Sequence, residues 1–293
     1  MKKILVLLML CVLLVPFTAN ALTITDMAGT EITFDAPVER VVALTASDCE
    51  ILYALGAGEA LVGRGEYCDY PVEVLDVPSV QSGDDTNIEQ IIALAPQVVI
   101  MSKMAQTTEQ IEALRKAGIA VVVNDAQDIE GVYTSIMVIG ELVGKTSEAE
   151  AVISNMKATF NDVKVEASES PKTIYFEVSP LQYGLWTAGN NTFMTEIANM
   201  IGLENCFADV EGWGEISEEQ VIARDPDYIV TISMYFGEGP KPVEEIKARA
   251  GWGTLKAIAN DAILNLANNE LSRPVPRLAD GAQLIYDFVY GEK

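Results

Sequence analysis

The chain has 293 residues, a formal net charge of −24, four cysteines and no histidine. So acidic a surface argues against nucleic acid and against anionic lipid faces as partners. Without histidine there is no Ser-His or Cys-His catalysis and no His-based zinc or haem site in this chain, and no P-loop is present.

Lys2 and Lys3 precede an apolar run from Ile4 to Val15, followed by Pro16 and Ala19-Asn20-Ala21. A charged start, an apolar stretch and a small-x-small cleavage site read as a secretory signal peptide over residues 1–21. The run is short for a spanning helix. Leu10, not a small residue, precedes Cys11, which argues against a lipoprotein signal. The mature protein is expected to start near Leu22, soluble in the periplasm. It keeps Cys49, Cys68 and Cys206, an odd number. One disulfide is allowed there, no disulfide framework is indicated, and buried free thiols are the expected reading.

From Leu22 to Phe34 two short alternating runs flank Asp26-Met27-Ala28-Gly29, a hairpin signal. Val41–Thr45 reads as a strand. Ser47 with Glu50 starts a helix that presents Ile51, Leu52 and Leu55 inward and stops at Gly56. Gly56 to Gly63 follows a helix instead of opening one, so it is not a dinucleotide loop. Leu61–Gly63 is a short strand and Tyr67–Pro71 a loop.

The next stretch occurs twice. Asn87–Ile100 (NIEQIIALAPQVVI) and Ser217–Val230 (SEEQVIARDPDYIV) align at an offset of 130 residues. Each reads as capped helix, stop, strand. Asn87 with Gln90 and Ser217 with Gln220 have the form of a capping box, and Ile216 with Val221 that of a hydrophobic staple. Pro96 and Pro226 end the helices, and β-branched runs follow as buried strands. Two copies at so long a period suggest two related lobes. Glu89 and Glu219 sit off the apolar stripe in the first turn of each helix. Acids there suit the helix dipole. Matched in both lobes, they also offer two anionic knobs to a partner with two-fold symmetry.

Helices are expected near 108–117 and 129–143, with a strand at 119–123 between them. Residues 146 to about 165 form one long amphipathic helix. A second series follows: strands at 174–178, 229–232 and 263–266, helices at 193–200, 243–250 and 278–289. The plan is α/β: an N-terminal lobe (22–145), a connecting helix (146–167) and a C-terminal lobe (168–293). Each lobe has a mostly parallel sheet flanked by helices. A helical connector is stiff, so closure motion should be modest.

With Asp26–Gly29 (D-x-x-G), Pro37–Val42 (P-x-x-R-V-V), Glu50–Gly58, Tyr67–Pro71 (Y-C-D-Y-P), the two E-Q…P units and Pro276–Leu278 in this order, the mature chain resembles periplasmic substrate-binding proteins of the cobalamin and iron-chelate importer class. The resemblance implies capture of a corrinoid or ferric siderophore and delivery to an ABC permease dimer with its ATPase, by a monomeric binder without a resident cofactor. It also implies that one glutamate per lobe meets permease arginines, which falls on Glu89 and Glu219.

Binding clefts are lined by aromatic and apolar groups with a few polar ones. Tyr67, Trp186 and Trp213 lie at strand ends and loops, where cobalamin binders of this class resemble one another in presenting aromatic residues. Each has a plain alternative as loop packing. Tyr183 and Tyr235 face the cleft or cover the core. Arg64, Lys103 and Arg273 are candidates for an anionic siderophore, each with the alternative of a solvated surface charge. Other readings are a haem binder of the same class, which would need Tyr or Met as ligand, and a secreted α/β enzyme or sensor of unknown substrate.

Overall fold

The computed structural model describes residues 21–102, 107–166, 168–235, 237–267 and 269–291. The expected signal peptide, apart from Ala21, and Lys103 lie outside these residues.

Strands β1 (Leu22–Thr25) and β2 (Glu31–Phe34) pair antiparallel as a separate hairpin. Its turn is built by Asp26, whose Oδ1 accepts from the N–H groups of Ala28 and Thr30. Oδ2 accepts from Val123 N at 3.0 Å, which ties the hairpin to the body. A short acceptor side chain that satisfies its own turn is the reason Asp recurs at such places.

The N-terminal lobe runs β3 (Val41–Ala43), α1 (Ala46–Ala54), β4 (Leu61–Gly65), β5 (Ser79–Val80), α2 (Ile88–Ala93), β6 (Val98–Met101), α3 (Thr108–Lys116), β7 (Ala120–Val123) and α4 (Ile129–Leu142). Its sheet is parallel throughout, in the order β5-β4-β3-β6-β7. Interior strand β6 is buried at every residue, as expected of a strand covered on both faces. Helix α1 begins earlier than Ser47: Thr45 is its N-cap and accepts from Asp48 N. Thr45 lies two residues past the strand end and keeps an extended backbone, which suits the cap.

Helix α5 (Thr146–Asp162) follows as the connector. The C-terminal lobe then runs β8 (Thr173–Ser179), β9 (Trp186–Ala188), α6 (Phe193–Met200), β10 (Glu204–Asn205), β11 (Trp213–Glu215), α7 (Glu218–Arg224), β12 (Tyr228–Thr231), α8 (Pro242–Ala248), α9 (Lys256–Ala259), β13 (Ile263–Asn265) and α10 (Leu278–Tyr290). The sheet order is β11-β9-β8-β12-β13, with β10 also on β8. Pairs among β8, β10, β12 and β13 are parallel, whereas β9 runs antiparallel to both of its neighbours, β8 and β11. These short strands, two or three residues long, carry no alternation that sequence reading can detect.

The repeated units fold alike with one difference. In α7 the capping box is complete: Ser217 Oγ accepts from Gln220 N, and Gln220 Oε1 from Ser217 N at 2.8 Å. In α2 only Asn87 caps; Gln90 Oε1 accepts from Gln81 N instead. Both units turn through a left-handed residue just before the proline, Ala95 (φ 46) and Asp225 (φ 44), where proline disfavours a right-handed helical predecessor. Arg40 of the P-x-x-R-V-V motif donates to the carbonyls of Leu94 and Ala95. It thereby satisfies the C-terminal end of α2.

Helices α4 and α10 both pack on α5. Gly140 permits the first contact, since a Cβ there would lie 2.6 Å from the Ala149 Cβ. One apolar core is continuous through both lobes. It includes Val41 and Ile100, then Ile139, Met156 and Phe160, then Ile174, Phe176 and Ile285. Smaller cores cover the opposite face of each sheet.

Candidate functional site

In both sheets the carboxyl ends of the parallel strands face a cleft between the lobes, the usual ligand position in open α/β sheets. Thr45 follows β3, Ser102 follows β6, and Asn124 to Gln127 follow β7. From the other side come Val178 near the end of β8 and Ile232 just after β12. Together with Phe193, Trp213, Ser272 and Pro274 they enclose a cavity of about 340 Å³.

The two walls differ in chemistry. The C-terminal wall is aromatic: the rings of Phe193 and Trp213 lie 5.3 Å apart, tilted at 59°. The Trp213 indole Nε1 donates to Gln127 Oε1 at 3.1 Å, across the cleft. The N-terminal wall is polar. Asp48 accepts from Thr45 Oγ1 and from Asn124 Nδ2, each at 2.5 Å, and Ser135 Oγ donates to Asn124 Oδ1 at 2.5 Å. Burial pushes the Asp48 carboxyl up to about 6, the hydrogen bonds from Thr45 and Asn124 opposing it. Ser102 Oγ donates to Asp125 at 3.0 Å. Among the described residues that line this cavity there is no Lys or Arg, and no Tyr, Met or Cys.

At the rear the lobes are clasped. Glu196 Oε2 of α6 accepts from Ile129 N at the start of α4, at 2.7 Å, and Phe193 N donates to Gln127 O. Burial raises the Glu196 carboxyl. Along one side a seam closes the lobes. Arg277 binds Glu50 through two hydrogen bonds, of 2.5 and 2.7 Å, and lies 3.8 Å over the Tyr70 ring. Arg273 meets Asp69 at 2.6 Å. The sequence motifs around Glu50, Tyr67–Pro71 and Pro276–Leu278 therefore converge on this seam.

Of the candidate ligand contacts, the structure places Trp213 in the cavity wall. Tyr67 (75% exposed) and Trp186 (40% exposed) lie on the surface outside it. Tyr235, 44% exposed, lines a neighbouring groove of about 450 Å³ with Pro180, Gln182, Ser233 and Met234. Arg273 is engaged by Asp69, and Arg64 is buried against the carbonyls of Gly65 and Glu66. Sequence reading passed over Phe193, Asp48, Asn124 and Gln127. Phe193 opens an apolar helix and looks like core, and the polar groups are separated by up to 79 residues.

Glu89 and Glu219 are both exposed. Each stands in the first turn of a helix that precedes a parallel strand, so each lies toward the carboxyl edge of its sheet, the edge that faces the cleft. Backbone N–H donation and the Ser217 hydroxyl hold the Glu219 carboxyl below its ordinary range.

A second buried charge cluster lies in the C-terminal lobe. Arg249 binds Glu177 through both nitrogens, at 2.6 and 3.0 Å, reaches Glu245 at 2.6 Å and stacks on Trp252. Burial raises Glu177 and the guanidinium opposes it. Every member of this cluster is satisfied within the lobe, so it is a structural element.

A profile of the family described as periplasmic binding protein matches residues 41–269. An uncharacterized ABC transporter substrate-binding lipoprotein, YvrC of Bacillus subtilis (strain 168), is 34% identical over 276 residues, covering 92% of this chain and 85% of the relative. The vitamin B12-binding protein of Vibrio cholerae serotype O1 (strain ATCC 39541) is 25% identical over 255 residues, covering 86% and 90%. The crystal structure of an ABC-type Fe3+-hydroxamate transport system from Saccharomonospora viridis DSM 43017 superposes with a TM-score of 0.75 at 27% identity, covering 92% of this chain and 99% of that one.

Proposed function

The chain belongs to the periplasmic binding protein family, and we propose that it captures a corrinoid in the interlobe cleft and delivers it to an ABC import permease. Its relatives are substrate-binding transport proteins, not enzymes. The observation that carries the ligand class is the contrast between the cavity walls. The Trp213–Phe193 face offers apolar surface to a macrocycle. Asp48, Asp125, Ser102 and Thr45 offer acceptors to the amide groups at its rim. Among the described lining residues no cation meets an anionic siderophore, and no Tyr, Met or Cys supplies an axial ligand to haem iron.

A cavity of about 340 Å³ is at the small end for drug-sized ligands. A corrinoid is larger, so the cleft widens to admit it. The connector α5 and the Glu196–Ile129 clasp stay in place while the side seam parts. Glu89 and Glu219, one exposed acid per lobe toward the cleft-facing edges, meet cationic groups of a two-fold permease. In this reading residues 1–21 direct export.

The test is titration of the purified mature chain with cyanocobalamin, a ferric hydroxamate and haemin, followed by tryptophan fluorescence. Saturable quenching by cyanocobalamin at the lowest concentration supports the proposal. Saturation by the hydroxamate or by haemin, with cyanocobalamin inert, overturns the ligand class. Silence of all three removes the chelate reading altogether.

A further inference from the structure

Residues 271–277 (LSRPVPR) run along the side seam and face three ways. Leu271 and Val275 are fully buried and pin the segment into the interior. Ser272 and Pro274 line the cavity. Arg273, between them, and Arg277 reach across to the N-terminal lobe, to Asp69 at 2.6 Å and to Glu50 at 2.5 and 2.7 Å. One short stretch therefore both walls the cavity and holds the lobes together.

The two ion pairs differ in their surroundings. The side chains of Glu50 and Arg277 are 3% and 14% exposed. They meet through two parallel hydrogen bonds, and the Tyr70 ring covers the guanidinium at 3.8 Å. Such a fork is strong and directional, and removing one partner would leave the other charge buried and alone. Arg277 also stands at the start of α10, which packs on α5, so this pair lies at the connector end of the seam. The outer pair is weaker. Asp69 is 44% exposed and takes a single hydrogen bond from Arg273. Water weakens that attraction and salt screens it.

We propose that Arg273 and Asp69 form the latch of the cleft. Their contact holds the wall made by Ser272 and Pro274 against the N-terminal lobe, breaks first when the lobes part, and sets the rate at which a chelate enters and leaves. Arg277 and Glu50 hold until last and keep the opening small. Arg273 and Asp69 act as positioning residues, because neither lines the cavity.

This inference rests on the interlobe cleft being the binding site, not on which chelate fills it, so opening is measured without ligand. Ser47 lines the cavity. Ser47→Cys, in a Cys206→Ser background, puts a thiol inside the closed cleft. A neutral maleimide too bulky for the closed cavity labels that thiol only when the lobes part. Cys49 and Cys68 are buried in the core, and the same chain without Ser47→Cys gives the labelling that global unfolding contributes.

Asp69→Asn and Arg273→Gln are each expected to raise the labelling rate roughly threefold at low salt. Salt at about 0.5 M should raise the rate of the parent by a similar factor and leave both variants unmoved. The charge-swapped protein, Asp69→Arg with Arg273→Asp, should return to slow, salt-sensitive labelling, which a mere loss of packing would not allow. In stopped-flow mixing with cyanocobalamin, association and dissociation should both speed up in Asp69→Asn. Failure of cyanocobalamin to bind any of these proteins counts against the corrinoid alone, since the labelling rates stand without it. Labelling of Asp69→Asn at the parental rate in low salt, or a charge swap as fast as the single variants, overturns the latch.

Discussion

The indole of Trp213 and the side-chain carbonyl of Gln127 meet at 3.1 Å across the cleft, the only ring of the C-terminal wall that hydrogen-bonds the opposite lobe among the described residues. Trp213 therefore does two things: it presents a face to the cavity and it registers one lobe against the other. Replacing Trp213 by Ala is expected to weaken cyanocobalamin binding at least tenfold, about 1.4 kcal/mol, the scale of a desolvated aromatic contact. Isothermal titration calorimetry reads this directly. Gln127→Ala leaves the ring but frees it, and a smaller loss is expected. Unchanged affinity in Trp213→Ala would take the ring out of the binding wall.

Variants of the two exposed glutamates test delivery separately from binding. Glu89→Ala combined with Glu219→Ala should abolish corrinoid uptake in cells that depend on this protein, while affinity in vitro stays within about twofold, because neither residue lines the cavity. Each single variant should retain partial uptake. Normal uptake by the double variant would dismiss the docking role.

Asp48 makes the polar wall sensitive to pH. Its carboxyl titrates near 3.8 when unfolded and at about 6 in the fold. Between those values the unfolded chain has lost the proton and the folded chain has kept it, so stability falls as pH rises through this window. The full effect is roughly 3 kcal/mol by linkage. Glu177, Glu196 and Asp280 are also raised by burial and slope in the same direction. The comparison with Asp48→Asn isolates this residue: urea denaturation from pH 4 to 7 should show a flatter profile in the variant. Parallel profiles would contradict the assignment.

What the sequence reveals, and what it hides, follows from the range of the interactions. The parallel strands, the connector and the repeated units were legible because their signals are local: β-branched runs, Ser217 with Gln220, and prolines at matched places. Thr45 was overlooked as the cap of α1 because Ser47-x-x-Glu50 has the same local form; only the strand end at Ala43 decides between them. The pairing of Asp48 with Asn124 joins residues 76 apart, which no periodicity reports. Tyr67, Trp186 and Trp213 look alike as loop aromatics, and only packing against Phe193 singles out Trp213. Residues 1–20 and 103–106, among them most of the expected signal peptide and Lys103, lie outside the described structure.

Gly140 tests the connector. A Cβ at this position would meet Ala149 at 2.6 Å and the Lys145 carbonyl oxygen at 3.1 Å. Alanine favours a helix interior by about 1 kcal/mol, whereas overpacking costs about 1–3 kcal/mol. Gly140→Ala should be net destabilising by about 1 kcal/mol in urea denaturation, and adding Ala149→Gly should restore part of the loss. A stabilised single variant would show that α4 and α5 are not held this close.

Because a single interior runs from Val41 through Phe160 to Ile285, the halves of this protein are not interchangeable parts. A chimera that exchanged only residues after the connector would strand α10 against a foreign surface on α5. Recombination between relatives with different ligands therefore has to transplant the strut and the final helix as one cassette. The protein can diverge in what it carries by altering the loops at the strand ends, but not by trading one half.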